Sequence, residues 1–424
     1  MNNRLLHTPE GVRDIYNLEC ARKETVEEQI CSELKLFGYR KIQTPTFEFF
    51  DIFDKKKGSV DSREMYKFFD REGNTLVLRP DITPSIARAA SKYFMDENIP
   101  IRLFYSGNTF INNSSYQGRL KETTQIGAEL IGDRTSDADA EMIALLIQCL
   151  QKAGLSDFQI EVGQIDFFNG LMEESRLDEE EQDYLRELIE NKNFFGVEEL
   201  LSAKDFPKDL KDILLKLPEF SGSMEYLKEA RKMTHNQTAI GAIDKLIDLY
   251  QILSYYGVEN YISFDLGMLG KYKYYTGIIF KAYTYGTGDA IATGGRYDNL
   301  LPQFGKDSAS IGFAIILDSL MTAMERQKIC IQTDLISTIL LYDRKQKQLA
   351  VQLANHLRST GCSLHLMKKY HEKSIFDYLA YARRSFIGGI LFIDELGQTV
   401  QVIEAESGER KIVRLTDFIK GDED

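Results

Sequence analysis

Cationic side chains are in deficit. The 424 residues carry 52 Lys+Arg against 65 Asp+Glu, a net charge of −13. A chain whose main work is gripping phosphate backbones needs the opposite balance, because that affinity comes from cations releasing counterions. Cysteine is scarce and odd in number: Cys20, Cys31, Cys149, Cys330 and Cys362 show no CxxC spacing and no clustered histidine. That excludes a disulfide framework and a zinc site, and the five read as small buried hydrophobes in a reducing cytoplasm. No apolar run approaches the roughly 18 residues of a membrane span. The opening Met-Asn-Asn-Arg-Leu-Leu-His-Thr-Pro also lacks an apolar signal region, so a cytoplasmic protein without a membrane segment is expected. The strings GxxxxGK[ST], GxGxxG opening a helix, and HExxH are all missing. Histidines 7, 235, 356, 365 and 371 are scattered, and none suggests a catalytic role.

With 43% hydrophobic and 28% charged residues, and only 8 Pro and 30 Gly, the chain has the composition of a globular protein of two or three domains. Val26, Ile30, Leu34 and Phe37 recur at helical spacing ahead of Gly38, which predicts a helix ending near Phe37 with a left-handed stop. Strand character follows at 41–48, 75–78, 101–105 and 122–131, and Thr83-Pro84 predicts an N-cap with proline at the first helical position. Strands without βαβ alternation imply a mainly antiparallel sheet flanked by helices, an α+β fold. From about 171 to 256 the pattern turns helical; residues 171–235 hold 17 acidic against 10 basic side chains, which marks an inserted helical subdomain. Strand signals return at 262–266, 274–283, 290–294 and 311–317 to complete the first sheet. Strand and helix then alternate from 338 to 393, predicting a small α/β domain. The expected division is 1–325, interrupted by the insert, and 330–424. Low complexity is confined to the acidic tail 422–424.

Within 122–131, period two places Thr124, Ile126, Ala128 and Leu130 on one face and Thr123, Gln125, Gly127 and Glu129 on the other. The first face is core. The second, with a glycine leaving space between an amide and a carboxylate, either lines a pocket that accepts an ammonium group or is the wet side of a half-buried sheet. Gly294-Gly295-Arg296-Tyr297-Asp298 reads as a strand end or bulge at least as readily as a ligand loop.

Six strings occur in order: Gly38 through Pro45 to Glu48; Leu78-Arg79-Pro80-Asp81-Ile82-Thr83; Gly118-Arg119-Leu120-Lys121 leading into Gln125-Ile126-Gly127-Ala128-Glu129; Tyr274-Tyr275-Thr276-Gly277; Gly294 to Asp298; and Ile311-Gly312-Phe313-Ala314-Ile315. Together they resemble the class II histidyl-tRNA synthetase core over residues 5–320. The resemblance implies that family's antiparallel sheet, a helical insert and a C-terminal domain like the anticodon-binding one. Matched to its motifs, Asp81, Thr83, Gln125, Glu129 and Tyr275 stand at histidine-contacting positions. Three phosphate-binding arginines of the pattern are replaced here by Ile111, Gly270 and Ser319. Adenylation needs fixed cations at the developing phosphate charge, and losing one such donor costs about 2.7–4 kcal/mol.

A synthetase-like chain with its amino-acid pocket kept and its arginines lost resembles the regulatory subunits of ATP phosphoribosyltransferase. That resemblance implies a non-catalytic chain without cofactor or metal. It also implies a short-form catalytic subunit as partner, L-histidine as effector, a homodimer paired through 38–48, and no tRNA. The alternatives are a divergent synthetase in which Lys121, Lys271 or Lys273 replaced the arginines, and a paralogue binding another amino acid. Residues 338–384 hold 9 Lys/Arg against 3 Asp/Glu. Without interleaved aromatic residues these read as solvated faces rather than a tRNA surface.

Overall fold

In the computed structural model, α1 (Asn17–Leu36) ends just before Gly38, whose φ of +81° is the left-handed stop that the sequence implies. The structure describes residues 6–53, 60–113, 119–204, 206–270, 275–333 and 337–416. Gly118, Lys271, Lys273, Tyr274 and the acidic tail, all named above, lie outside these. The chain divides into two compact units, residues 1–14 with 26–330 and residues 15–25 with 331–424. Elements are numbered along the chain.

In the first unit a nine-stranded sheet runs β1 (Arg40–Lys41), β5 (Ile101–Phe110), β6 (Glu122–Ile131), β12 (Ser310–Ile316), β11 (Ala292–Arg296), β10 (Ile278–Thr284), β7 (Phe158–Gln164), β9 (Ile262–Asp265), β8 (Ser221–Gly222). Only β1 with β5 and β7 with β9 pair in parallel; every other neighbour is antiparallel. A smaller antiparallel sheet joins β2 (Phe47–Phe49), β4 (Thr75–Leu78) and β3 (Lys67–Phe69). The segment 41–48, expected as one strand, is therefore split: its start extends the large sheet and its end the small one. Pro45 lies between and has no N–H to continue a ladder. Val77 buries one side of the small sheet against Phe53 and Met65, while Phe47 and Phe49 remain about half exposed on the other.

Helix α2 (Thr83–Tyr93) sets Ile86 and Ala90 against Leu103 and Tyr105 of β5. Its cap differs from expectation. Ile82 is the N-cap residue and makes no side-chain bond, and Thr83 lies inside the helix with its hydroxyl donating to Glu129 instead. A tertiary acceptor outcompetes the local cap. Helix α3 (Ser136–Lys152), capped by Thr135, packs on β6, β12 and the helix Gln237–Tyr255 with Leu145, Leu146 and Ile147 fully buried. Each such side chain contributes about 1.5–3 kcal/mol.

A helical stretch that begins ahead of the expected 171 comprises α4 (Ile165–Glu173), α5 (Glu179–Glu190), α6 (Phe194–Ala203), α7 (Lys208–Lys216), α8 (Met224–Met233) and α9 (Gln237–Tyr255), and β8 from within it pairs with β9 at the sheet edge. Helix α10 (Leu317–Arg326) follows β12.

The second unit contains β13 (Thr338–Tyr342), α11 (Lys347–Ser359), β14 (Leu364–Lys368), α12 (Ile375–Arg384) and β15 (Gly389–Ile393), close to the expected bounds. It adds β16 (Thr399–Glu404) and β17 (Arg410–Arg414), which the alternation did not foresee and which pair antiparallel at one edge. Leu340 packs with Leu353 of α11 on one face, while Ile339 and Leu341 pack with Leu379 of α12 on the other, so the strand is apolar throughout.

Two expectations fail on exposure. Cys31 and Cys149 are buried, but Cys330 and Cys362 are exposed. Tyr370 and Phe376 are exposed beside Lys373 and Arg410, so aromatic rings do lie among the cations of this unit.

Candidate functional site

The polar face of β6 is buried at Gly127 and Glu129 and only partly so at Thr123 and Gln125. Glu129 is 1% exposed, and Asp81 and Thr83 are buried with it. Cross-strand register places Gly312 of β12 opposite Glu129 and Gly127 opposite Tyr105 of β5. Both glycines are spatial requirements. A Cβ on Gly312 would overlap the Glu129 carboxylate, and one on Gly127 would overlap the Tyr105 hydroxyl.

Glu129 is held at both oxygens. Thr83 Oγ1 donates to Oε1 at 2.8 Å, and the Tyr297 hydroxyl donates to Oε2. Asp81 Oδ1 accepts the Thr83 backbone N–H at 3.3 Å, which fixes the turn from β4 into α2. Burial pushes the Glu129 carboxyl up to about 8; the Tyr297 and Thr83 hydrogen bonds pull it down and the Asp81 charge adds to the rise. Burial also lifts the Tyr105 and Tyr297 hydroxyls, with the Glu129 charge second.

Tyr275 closes the cavity from the segment before β10. It sits on Gly295, where a Cβ would come within 2.8 Å of the ring, while Gly294 makes the same room for Phe280. The Thr276 N–H donates to Arg296 O at 2.8 Å and its hydroxyl accepts the Asp298 N–H at 2.9 Å, which ties this segment to the end of β11. Arg296 anchors that end. Its Nε donates to Asp139 Oδ1 at 2.9 Å and its Nη1 to Asp133 O at 2.8 Å, at the start of α3. The two-glycine string is thus a strand end, as its spacing suggested, and it also delivers Tyr297 to the site.

Asp81, Thr83, Gln125, Glu129 and Tyr275 all line one cavity, with about 50 Å³ reachable by the centre of a water molecule. Tyr297, Ile111 and Phe313 complete much of its wall. Tyr297 was not anticipated, although its string was in view; nothing local says that a residue after β11 reaches β6. Of Ile111, Gly270 and Ser319, Ile111 lines the cavity. Gly270 has a φ of +81° and lies against Tyr275 and Ile279, and Ser319 lies in the first turn of α10, outside the lining. Lys121 packs its aliphatic stem over Gly11. Gln125 Oε1 is buried without a hydrogen-bond partner, so the cavity offers an unused acceptor beside two carboxylates. Such a set suits a small ligand with an ammonium group and further N–H donors. Among the described residues no group of three or more His, Cys, Asp or Glu is placed to hold a metal ion, and no helix is long and apolar enough to cross a membrane.

A larger groove of about 860 Å³ runs beside β1, lined by Ile42, Pro45, Arg88, Tyr93, Phe94 and Arg102 among others. Its lining mixes apolar side chains with cations such as Arg88 and Arg102, whereas the buried carboxyls are in the smaller cavity.

The nine-stranded sheet, the helical insert and the cavity at the start of α2 define a class II fold of the histidyl-tRNA synthetase type. A family model described as histidyl-tRNA synthetase matches residues 11–320. The ATP phosphoribosyltransferase regulatory subunit of Acetivibrio thermocellus is 38% identical over 415 residues, covering 98% of this chain and 99% of that protein. The counterpart in Clostridium novyi is 34% identical over 418 residues, 98% of each. A crystal structure from Bacillus halodurans, described as an ATP phosphoribosyltransferase regulatory subunit/histidyl-tRNA synthetase, superposes with a TM-score of 0.82 at 30% identity over 92% of this chain and 98% of that one. A Nostoc histidyl-tRNA synthetase superposes with a TM-score of 0.81 at 17% identity over 98% of each chain, a likeness of fold alone. The chain belongs to the family of ATP phosphoribosyltransferase regulatory subunits.

Proposed function

We propose that this chain does not adenylate histidine but binds it, in the cytoplasm, as the regulatory partner of a short-form ATP phosphoribosyltransferase catalytic subunit. In this reading the pair carries out the first step of histidine biosynthesis. The chain is needed for the partner's activity and conveys feedback inhibition by L-histidine. Asp81 and Glu129 take the ammonium and imidazole groups, Thr83 and Gln125 the polar ends, and Tyr275 packs on the ring. No cofactor, metal or tRNA enters the scheme.

The observation that carries this reading is the chemistry of the cavity: two carboxylates and an unused amide oxygen, with Ile111 in the wall where the synthetase pattern has an arginine. A phosphate would meet acids there, and an ammonium group would meet partners. Feedback then requires that histidine bind one arrangement of the complex more tightly than another; about 1–3 kcal/mol of coupling is enough. Histidine-dependent ATP–pyrophosphate exchange is expected to remain at background. Exchange above background would identify a working, divergent synthetase.

Two copies of the chain are proposed to pair through 38–48. The apolar part of the groove beside β1, with Ile42, Tyr93 and Phe94 among its lining, together with half-exposed Phe47 and Phe49, supports that pairing. Sedimentation equilibrium should return the mass of two chains, and a single-chain mass at micromolar concentration would contradict it.

A further inference from the structure

The described groups around Glu129 do not neutralise it. From β6 itself comes Gln125, from the turn into α2 come Asp81 and Thr83, and from β5 comes Tyr105. Tyr275 and Tyr297 close in from either side of the two-glycine strand, and β12 contributes Gly312, which has no side chain. Among these described neighbours there is no cation, and Asp81 carries a like charge. A carboxyl 1% exposed, beside a second carboxyl and bonded only to hydroxyls, is more stable with its proton than without it. The hydrogen-bond network fits both states. Hydroxyls accept as readily as they donate, so Thr83 and Tyr297 can hold the ionised carboxylate as donors, and one of them can turn to accept from the protonated form. Burial, pushing the group up to about 8, points the same way.

We infer that Glu129 is protonated in the empty cavity and surrenders that proton to solvent when the ammonium group of a ligand enters, so that ligand binding and proton release are one event. The carboxyl O–H bond breaks, the proton passes to water or buffer, and the carboxylate left behind pairs with the incoming cation. This rests on the reading of the cavity as the L-histidine site and adds to it a dependence of effector strength on pH. Below the carboxyl's own titration each pH unit gained strengthens binding by up to about tenfold, and the gain levels off as pH passes about 8.

Calorimetry of the full chain with L-histidine, in two buffers of different ionisation enthalpy, tests it. Close to one proton released per ligand is expected at about pH 7, falling toward none above about pH 8. Histidine binding without proton release overturns the inference and leaves the histidine reading standing; no histidine binding at any pH removes both.

A second measurement needs no ligand. Glu129→Gln keeps the shape and neutrality of the protonated carboxyl. The infrared difference between empty wild-type and Glu129→Gln chains should contain the carbonyl band of a protonated carboxyl at neutral pH, and absence of that band overturns the inference. Because burial raises the carboxyl from 4.5 to about 8, the protonated state supports the fold fully below about pH 4.5, and that support is lost progressively as pH rises from there to about 8. The wild-type midpoint should therefore fall relative to that of Glu129→Gln across this range.

Discussion

Replacing Arg296 with methionine is expected to destabilise the first unit by about 3–5 kcal/mol, read as a lowered urea midpoint. Arg296 and Asp139 are 7% and 6% exposed, and the guanidinium also donates to Asp133 O and Thr135 O. Burial pushes the Asp139 carboxyl up to about 6 even with Arg296 drawing it down. Without the arginine, an uncompensated carboxylate remains in the core. Protonating it relieves the loss, so the penalty should be smaller near pH 5 than near pH 7.5. Pairing Arg296→Met with Asp139→Leu should recover most of the stability, because an apolar pair of similar volume removes the unpaired charge. The substitution also reaches the cavity. Arg296 is followed directly by Tyr297 and its carbonyl accepts the Thr276 N–H; that backbone bond survives the substitution, but the strand end that positions both rings loses the guanidinium contacts that hold it to the start of α3. A midpoint shift worth under about 1 kcal/mol would show that the pair does not hold this end of β11.

The second large effect concerns affinity. Glu129→Ala is expected to weaken L-histidine binding by about 2–4 kcal/mol, roughly 30- to 1000-fold, since it removes one member of a buried charge pair. Alanine also strands the hydroxyls of Thr83 and Tyr297 without their acceptor. Part of any loss is therefore structural, and Glu129→Gln, which retains an oxygen for one of them, separates the two contributions. Both substitutions should weaken binding, with only alanine lowering the unfolding midpoint appreciably. Unchanged histidine affinity in Glu129→Ala would remove this residue from the pocket.

How far the site was legible in the sequence depends on which parts are local. The strand Glu122–Ile131 could be read to its ends because alternation and β-branched residues mark it, and the stop at Gly38 because only a left-handed turn needs that residue there. Alternation shows that Gln125, Gly127 and Glu129 share a face, but not what covers it. That depends on α2, β5 and the Tyr297 loop, which arrive from distant sequence. Thr83 illustrates the same limit in reverse. Its local signature is a helix cap, and an acceptor 46 positions away claims the hydroxyl instead. The five residues named from motif order meet in one cavity, whereas Tyr297 and the spacing glycine Gly312 became evident only from cross-strand register. Strands β16 and β17 were missed because the βαβ pattern carries no signal for an antiparallel extension at its edge.

In the function proposed above, this chain sets the rate and the histidine sensitivity of a partner enzyme. The most direct measurement is the phosphoribosyltransferase rate of a short-form catalytic subunit from the same source, with and without this chain, across a titration of L-histidine. The chain is expected to raise the rate, and histidine to lower it again only when the chain is present. A rate and a histidine response that are the same with and without the chain would contradict it.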